Sequence, residues 1–285
     1  TSDSDVMNNN ALLIYVNKNS SIIQKDDSVT NGVVHVVDHV INASNQFLPA
    51  LMEENPNLSI FSQALKLTGM ADSLTKYNDD TYTVDPDSAW GGKGFKVPYG
   101  TANDGTASKQ CKTWYPEKRF FKFTAFVEPD SVFHRHGIYT IEDLQKYDKK
   151  VYDETYPEDA GLYDNDPHHR KNPLNRFVSY HLLNRVGQYN SWVVSGTIRE
   201  RCLDTKLIDP EEYYETMCPG TIVRFAGPAS GLYINRRGVG ERKDRGFFVR
   251  GVKVLSPSES GSVDQNAING VYHYLDDILA YTPEV

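Results

Sequence analysis

Three stretches of the chain are apolar runs or alternate apolar with polar positions, and each predicts a β-strand. They are Leu12-Leu13-Ile14-Tyr15-Val16, the segment Phe121-Lys122-Phe123-Thr124-Ala125-Phe126-Val127, and a run from Gly246 to Leu255. Between 47 and 74 the spacing becomes helical. Phe47 to Met52 opens one helix, with Pro49 tolerable in a first turn, and Asn55-Pro56-Asn57 breaks it. Ile60, Ala64 and Leu67, with Phe61 and Leu65, then share one helical face. Ser59 is placed to cap that helix and Gly69 to end it. Pro129-Asp130 stops the strand at 121–127 and starts a short helix that carries Phe133 inward. Thr140 and Asp143 form the capping box of a further helix. Residues 175–183 read as helical, and Asp209-Pro210 begins a short helix through Glu211-Glu212-Tyr213-Tyr214.

An internal echo is the most informative pattern. Asn31-Gly32-Val33-Val34-His35-Val36-Val37-Asp38 returns as Asn269-Gly270-Val271-Tyr272-His273-Tyr274-Leu275-Asp276, 269 − 31 = 238 residues later. Asn-Gly predicts a tight turn with positive φ. The alternation after it predicts a strand, with Val33, His35 and Val37 on one face and Val34, Val36 and Asp38 on the other. A neutral imidazole there can tie the strand to a buried backbone group. No second ligand stands at a strand or helix spacing from His35 or His273, so metal binding is disfavoured for both.

This closing segment resembles the second motif of fasciclin-like domains, Asn-Gly followed by a Val-x-His-x-x-Asp strand. Residues 47–74 resemble the family's opening helices. Thr124, Phe126, Pro129, Asp130 and Phe133 match its first motif, with Glu128 where Thr is usual. Tyr180-His181 resembles its Tyr-His element. The resemblance implies an α+β fold, a fasciclin-like β-wedge or sandwich with several short helices. It also implies two copies: residues 1–45 as the C-terminal part of a first domain, and 46–285 as a complete one. The front of the first copy is expected upstream of this chain.

The net charge is −8, with 30 Lys and Arg against 38 Asp and Glu. The basic stretch Arg236 to Arg245 is interrupted by Glu241 and Asp244, so a nucleic-acid partner is excluded. No apolar run reaches the roughly 20 residues that span a bilayer, and membrane attachment is expected only through an anchor outside the chain. Three cysteines, Cys111, Cys202 and Cys218, contain no CxxC pair. A Cys202–Cys218 bridge is open on sequence grounds.

Two stretches exceed a minimal domain, near 77–119 and 152–173. Loops this long are uncommon unless functional or disordered, and the first is too aromatic for a disordered linker. Trp90, Tyr99, Trp114 and Tyr115 are candidate contacts for a partner or a sugar ring, and Tyr180 and His181 join them through the family resemblance. In the second, Asp164, Asn165, Asp166 and His168 invite a metal reading. Their spacing lacks the Gly and closing carboxylate of a helix-loop-helix calcium site. No catalytic, cofactor or metal residues are assigned. The expected function is a non-enzymatic extracytoplasmic adhesion or interaction module, at the cell surface or lipid-anchored in an outer membrane. Its expected partner is a surface protein, with a nutrient-uptake transporter complex as the more specific reading. The alternative is a carbohydrate-binding or glycan-active protein that uses the aromatic insertion, with Asp164 and Asp166 as acids.

Overall fold

A computed structural model describes residues 5–8, 11–16, 20–40, 45–80, 95–98, 110–113, 119–189, 192, 211–226, 231–236, 251–260 and 265–280. The chain divides into two compact units, Thr1–Thr75 with Lys122–Val285, and Lys76–Phe121. The fold is α+β, with short helices and four-stranded sheets.

Strands β1 (Asp5–Asn8), β2 (Ala11–Val16), β3 (Ser20–Val29) and β4 (Gly32–Val37) form an antiparallel meander in chain order. Helix α1 (Leu48–Glu53) follows, with Pro49 in its first turn as expected. A 3-10 turn at Pro56–Leu58 leads into α2 (Ser59–Leu67) and then α3 (Met70–Thr75). Gly69 separates α2 from α3 at φ 71°, the left-handed conformation that favours glycine.

The second unit holds the hairpin β5 (Phe95–Pro98) with β6 (Gln110–Thr113). The main unit resumes with β7 (Phe123–Val127), α4 (Asp130–Arg135), α5 (Ile141–Thr155), α6 (Pro173–Tyr180) and the short β8 (Leu182–Leu183). Strands β9 (Glu211–Glu215), β10 (Ile222–Ala226), β11 (Leu232–Ile234) and β12 (Val252–Val254) make an antiparallel sheet in the order β12-β11-β10-β9. After α7 (Pro257–Ser260), β13 (Asn266–Ala267) and β14 (Gly270–Tyr274) complete the sheet β13-β14-β7-β8.

The centre of that sheet is a parallel pair, β7 beside β14, with Gly270 opposite Phe123 and Tyr274 opposite Val127. Both strands are buried along their length. Two-sided burial explains the near-continuous apolar run of β7. Phe126 packs against Trp192, Phe225 and His273, and the Trp192 indole lies on Phe225 with centroids 4.9 Å apart. Trp192 Nε1 and His273 Nε2 both donate to the Gly187 carbonyl, at 3.1 and 2.9 Å. The expected strut role of His273 is therefore present.

Four local expectations are corrected. Residues 211–215 are a strand, not a helix. Tyr214 pairs with Val223, and its ring meets Arg185, Trp192 and Phe225, contacts that outweigh the helix-start signal of Asp209-Pro210. Ser59 does not cap α2. Asp130 does so from 71 residues away, accepting from Ser59 N and Ile60 N at 3.1 and 3.0 Å. Nor do the two Asn-Gly pairs adopt positive φ. Each glycine instead opens a strand, which leaves the asparagine side chain available for longer-range bonds. Finally, Leu182–Leu183, expected at the end of a helix, form a short strand, and Cys218, whose pairing the sequence left open, is a buried free thiol.

Candidate functional site

A polar cluster within the core is sealed. Glu128, one residue past β7, is fully buried, as is His181 at the C-terminal end of α6. Their closest atoms, Nε2 and Oε1, are 2.7 Å apart. His181 Nδ1 donates to the Phe177 carbonyl at 2.7 Å, because a carbonyl can only accept. Nε2 and Oε1 therefore meet across a single proton. The same Oε1 accepts from Leu279 N at 2.9 Å, so one carboxylate joins β7, α6 and the C-terminal segment. Phe61 and Phe177 flank the imidazole.

Asp148 on α5 completes the cluster at 1% exposure. Its Oδ2 and Glu128 Oε2 are buried without hydrogen-bond partners. Burial, and then the Glu128 charge, push the Asp148 carboxyl well above the usual carboxylate range. Burial and then the neighbouring Asp148, Glu128 and Asp277 charges push the Tyr147 hydroxyl up to about 12. A carboxyl raised in the fold stabilises it fully below the unfolded value of about 4, and that contribution is lost as pH rises through the folded value. The slope for one proton is at most about 1.4 kcal/mol per pH unit.

Asp148→Asn is therefore expected to raise the melting temperature at about pH 8 and to change it little at about pH 4. Melts followed by circular dichroism at both pH values check this. Equal shifts at the two values would mean that Asp148 carries no extra proton. The exposed aspartates act in the opposite sense and in a lower window. Asp38 is brought to about 2 by the Ser21 hydroxyl and then by His39, and Asp143 is lowered first by the Tyr139 N–H. Their contributions are lost only as pH falls below about 4.

Sequence alone gave no reason to single out Glu128 or Asp148. The available signal for Glu128 was its departure from the Thr of the first motif. Tyr180 and His181, expected at a contact surface, lie instead in the core. The Tyr180 hydroxyl donates to Ile222 O and accepts from Asn235 Nδ2 at 2.9 Å. The sequence placed no carboxylate beside His181, and the fold supplies Glu128.

The two echoed segments carry the same hydrogen-bond pattern. Asp38 accepts from Ser21 N at 2.6 Å through its side chain and donates its own N–H to Ser21 O at 3.0 Å. Asp276 does the same with Lys253, at 2.7 and 3.0 Å. Ile22 pairs with Val37 as Val254 bridges Leu275. At the turn, Ser28↔Val33 and Val29↔Gly32 correspond to Asn266↔Val271 and Ala267↔Gly270.

In the second unit, residues 76–121 have a pinned stem. Asp79 N donates to Arg119 O at 2.8 Å, Phe121 N donates to Tyr77 O at 2.9 Å, and Asn78 bridges Phe120. Arg119 Nε meets Asp79 Oδ2 at 3.2 Å, and the Tyr77 and Phe120 rings lie 4.7 Å apart. Trp90, Tyr99, Trp114 and Tyr115 fall outside the described residues. In the 152–173 stretch, Asp164 pairs with Lys149 at 2.6 Å and Asp166 accepts from His168 N at 3.0 Å. Asp164 Oδ1 is buried without a hydrogen-bond partner.

No family model and no curated protein matches the chain. The chain spans 60% of the length of one similar solved structure, and that structure covers 92% of this chain. That structure, at 16% identity and a TM-score of 0.41, is a FAS1 domain pair from the insect cell adhesion molecule fasciclin I.

Proposed function

We propose that the chain is a fasciclin-like surface interaction module that performs no chemistry, and that residues 76–121 supply its contact element. One observation carries this reading: an aromatic insertion forms a compact unit of its own on a pinned stem. Aromatic side chains give large contact area at low entropic cost, and Trp and Tyr dominate binding hot spots. The sealed Glu128–His181 pair adds support, since a group with no exposure meets no substrate. The location is extracellular or at the cell surface, and the partner is a surface protein. A transporter subunit is the more specific form of that reading, and a glycan is the alternative partner.

The test is binding of labelled protein to intact cells of the source and to a glycan array. Trp90→Ala with Trp114→Ala is expected to weaken cell binding by about tenfold or more, since hot-spot residues are worth 2 kcal/mol or above. The melting temperature of the main unit should not move. Unchanged binding, or turnover of any arrayed glycan, would overturn the proposal.

A further inference from the structure

Strand β9 is the edge of its sheet, with β10 on one side. The backbone bonds that follow it show which residues face the other side. Thr216 N donates to Thr221 O across the ladder at 3.1 Å. Met217 N points the opposite way and donates to Leu182 O on β8 at 2.8 Å. Bonding direction alternates residue by residue along an antiparallel strand. The N–H and C=O of Glu215 therefore lie on the Met217 side, turned away from β10. Among the described residues no strand pairs with β9 along that side.

A cavity of about 560 Å³ runs beside this edge, lined by Asn184, Arg185 and residues 213–217. Consecutive side chains of a strand point to opposite faces, so an unbroken run of residues shares one cavity along its backbone edge. The cavity therefore offers backbone donors and acceptors as well as side chains.

The chemistry at the rim is an independent observation. The Arg185 guanidinium lies on the Tyr214 ring, 4.3 Å from its centroid. Tyr214 is itself held, by Glu212 at its hydroxyl and by Trp192 and Phe225 at its ring. Stacking on a ring orients a guanidinium and leaves its in-plane N–H donors open. Arg185 is exposed, and among the described residues no acceptor meets its guanidinium. A fork of donors held in this way is suited to a carboxylate, which it takes through two parallel bonds. The Glu215 carboxylate is also exposed and unpaired among the described residues. It repels a run of acids and favours a single acid beside neutral or basic residues.

We infer that the β9 edge is a docking site for an extended peptide segment of a protein partner. The segment adds as a further strand that bonds the Glu215 backbone, and its one Asp or Glu side chain pairs with Arg185. This contact is separate from the one assigned to residues 76–121 and does not depend on it.

The test selects binders to the 1–285 chain from a random library of short peptides displayed on phage. Recovered peptides are expected to carry a single Asp or Glu within a β-branched or aromatic run. Arg185→Ala is expected to weaken the best of them by about tenfold or more, as loss of a hydrogen bond to a charged group does. Glu215→Pro is expected to abolish binding, because proline is tolerated where an edge N–H faces away from the ladder but takes that donor away. In the wild-type complex the Glu215 amide is expected to exchange about tenfold more slowly or less, a readout that stands even where the proline variant fails to fold. Absence of any enriched peptide would overturn the inference, as would peptides that bind Arg185→Ala as tightly as wild type. Unchanged exchange at Glu215 in a complex that Arg185→Ala abolishes would overturn it too, since the site would then take a carboxylate, of a sugar acid as readily as of a peptide, without strand addition.

Discussion

Replacing His181 by alanine is expected to destabilise the main unit by about 3–5 kcal/mol, the usual effect of removing one partner from a buried ion pair or its neutral equivalent. Glu128 would keep its bond from Leu279 N but lose its imidazole partner, in a site with no exposure. The truncation also removes a ring packed between Phe61 and Phe177. Urea denaturation of wild type and variant checks the size. Adding Glu128→Ala is expected to cost much less than the sum of the single changes, because the two side chains act as one unit. A loss below about 0.5 kcal/mol, typical of an ordinary surface position, would contradict the role given to the pair.

What the sequence reveals and what it conceals divide along contact distance. Helices α1, α2 and α5 are legible because their signals are local: Pro49 in a first turn, the apolar stripe from Ile60 to Leu65, and the Thr140 cap, which accepts from Asp143 N at 3.2 Å. Strand β7 is legible from its apolar run and from Pro129. The partner of Asp130 is not, because the helix it caps lies 71 residues earlier and its own helix starts beside it. The parallel pairing of β7 with β14 spans a long crossover that no local periodicity encodes. Glu128 and Asp148 look like ordinary acids until the fold buries them. Trp192 carries no local signal of burial, yet its indole lies in the core.

The echo shows both sides of this divide. That the two segments repeat residue for residue, down to the aspartate, was readable from spacing alone, whereas the bonds of those aspartates to Ser21 and Lys253 were not. The reason for its Asn-Gly pair was not. The pair suggests a positive-φ turn, and the structure uses the asparagine as a junction and the glycine as clearance for a neighbouring carbonyl.

That clearance sets the second large effect. Gly270→Ala is expected to destabilise the 1–285 chain by about 1–3 kcal/mol or more, because the new methyl meets backbone, which cannot rotate aside as a side chain can. Gly32→Ala in the same chain is expected to fall within about 0.5 kcal/mol of wild type. Thermal melts of the two variants, run together, give the comparison. Equal effects would mean that the two glycines stand in like surroundings, and that the parallel strand beside β14 is not what distinguishes them.

In the function proposed above, the buried ionisable cluster holds the fold while the aromatic insertion makes the contact. The most direct measurement sets two variants side by side for binding to intact cells. Asp148→Asn, which alters the sealed cluster, is expected to bind within about twofold of wild type, as a change remote from an interface should. Trp90→Ala with Trp114→Ala is expected to lose about tenfold or more. The reverse order, with binding lost in folded Asp148→Asn and kept in the tryptophan variant, would contradict the account.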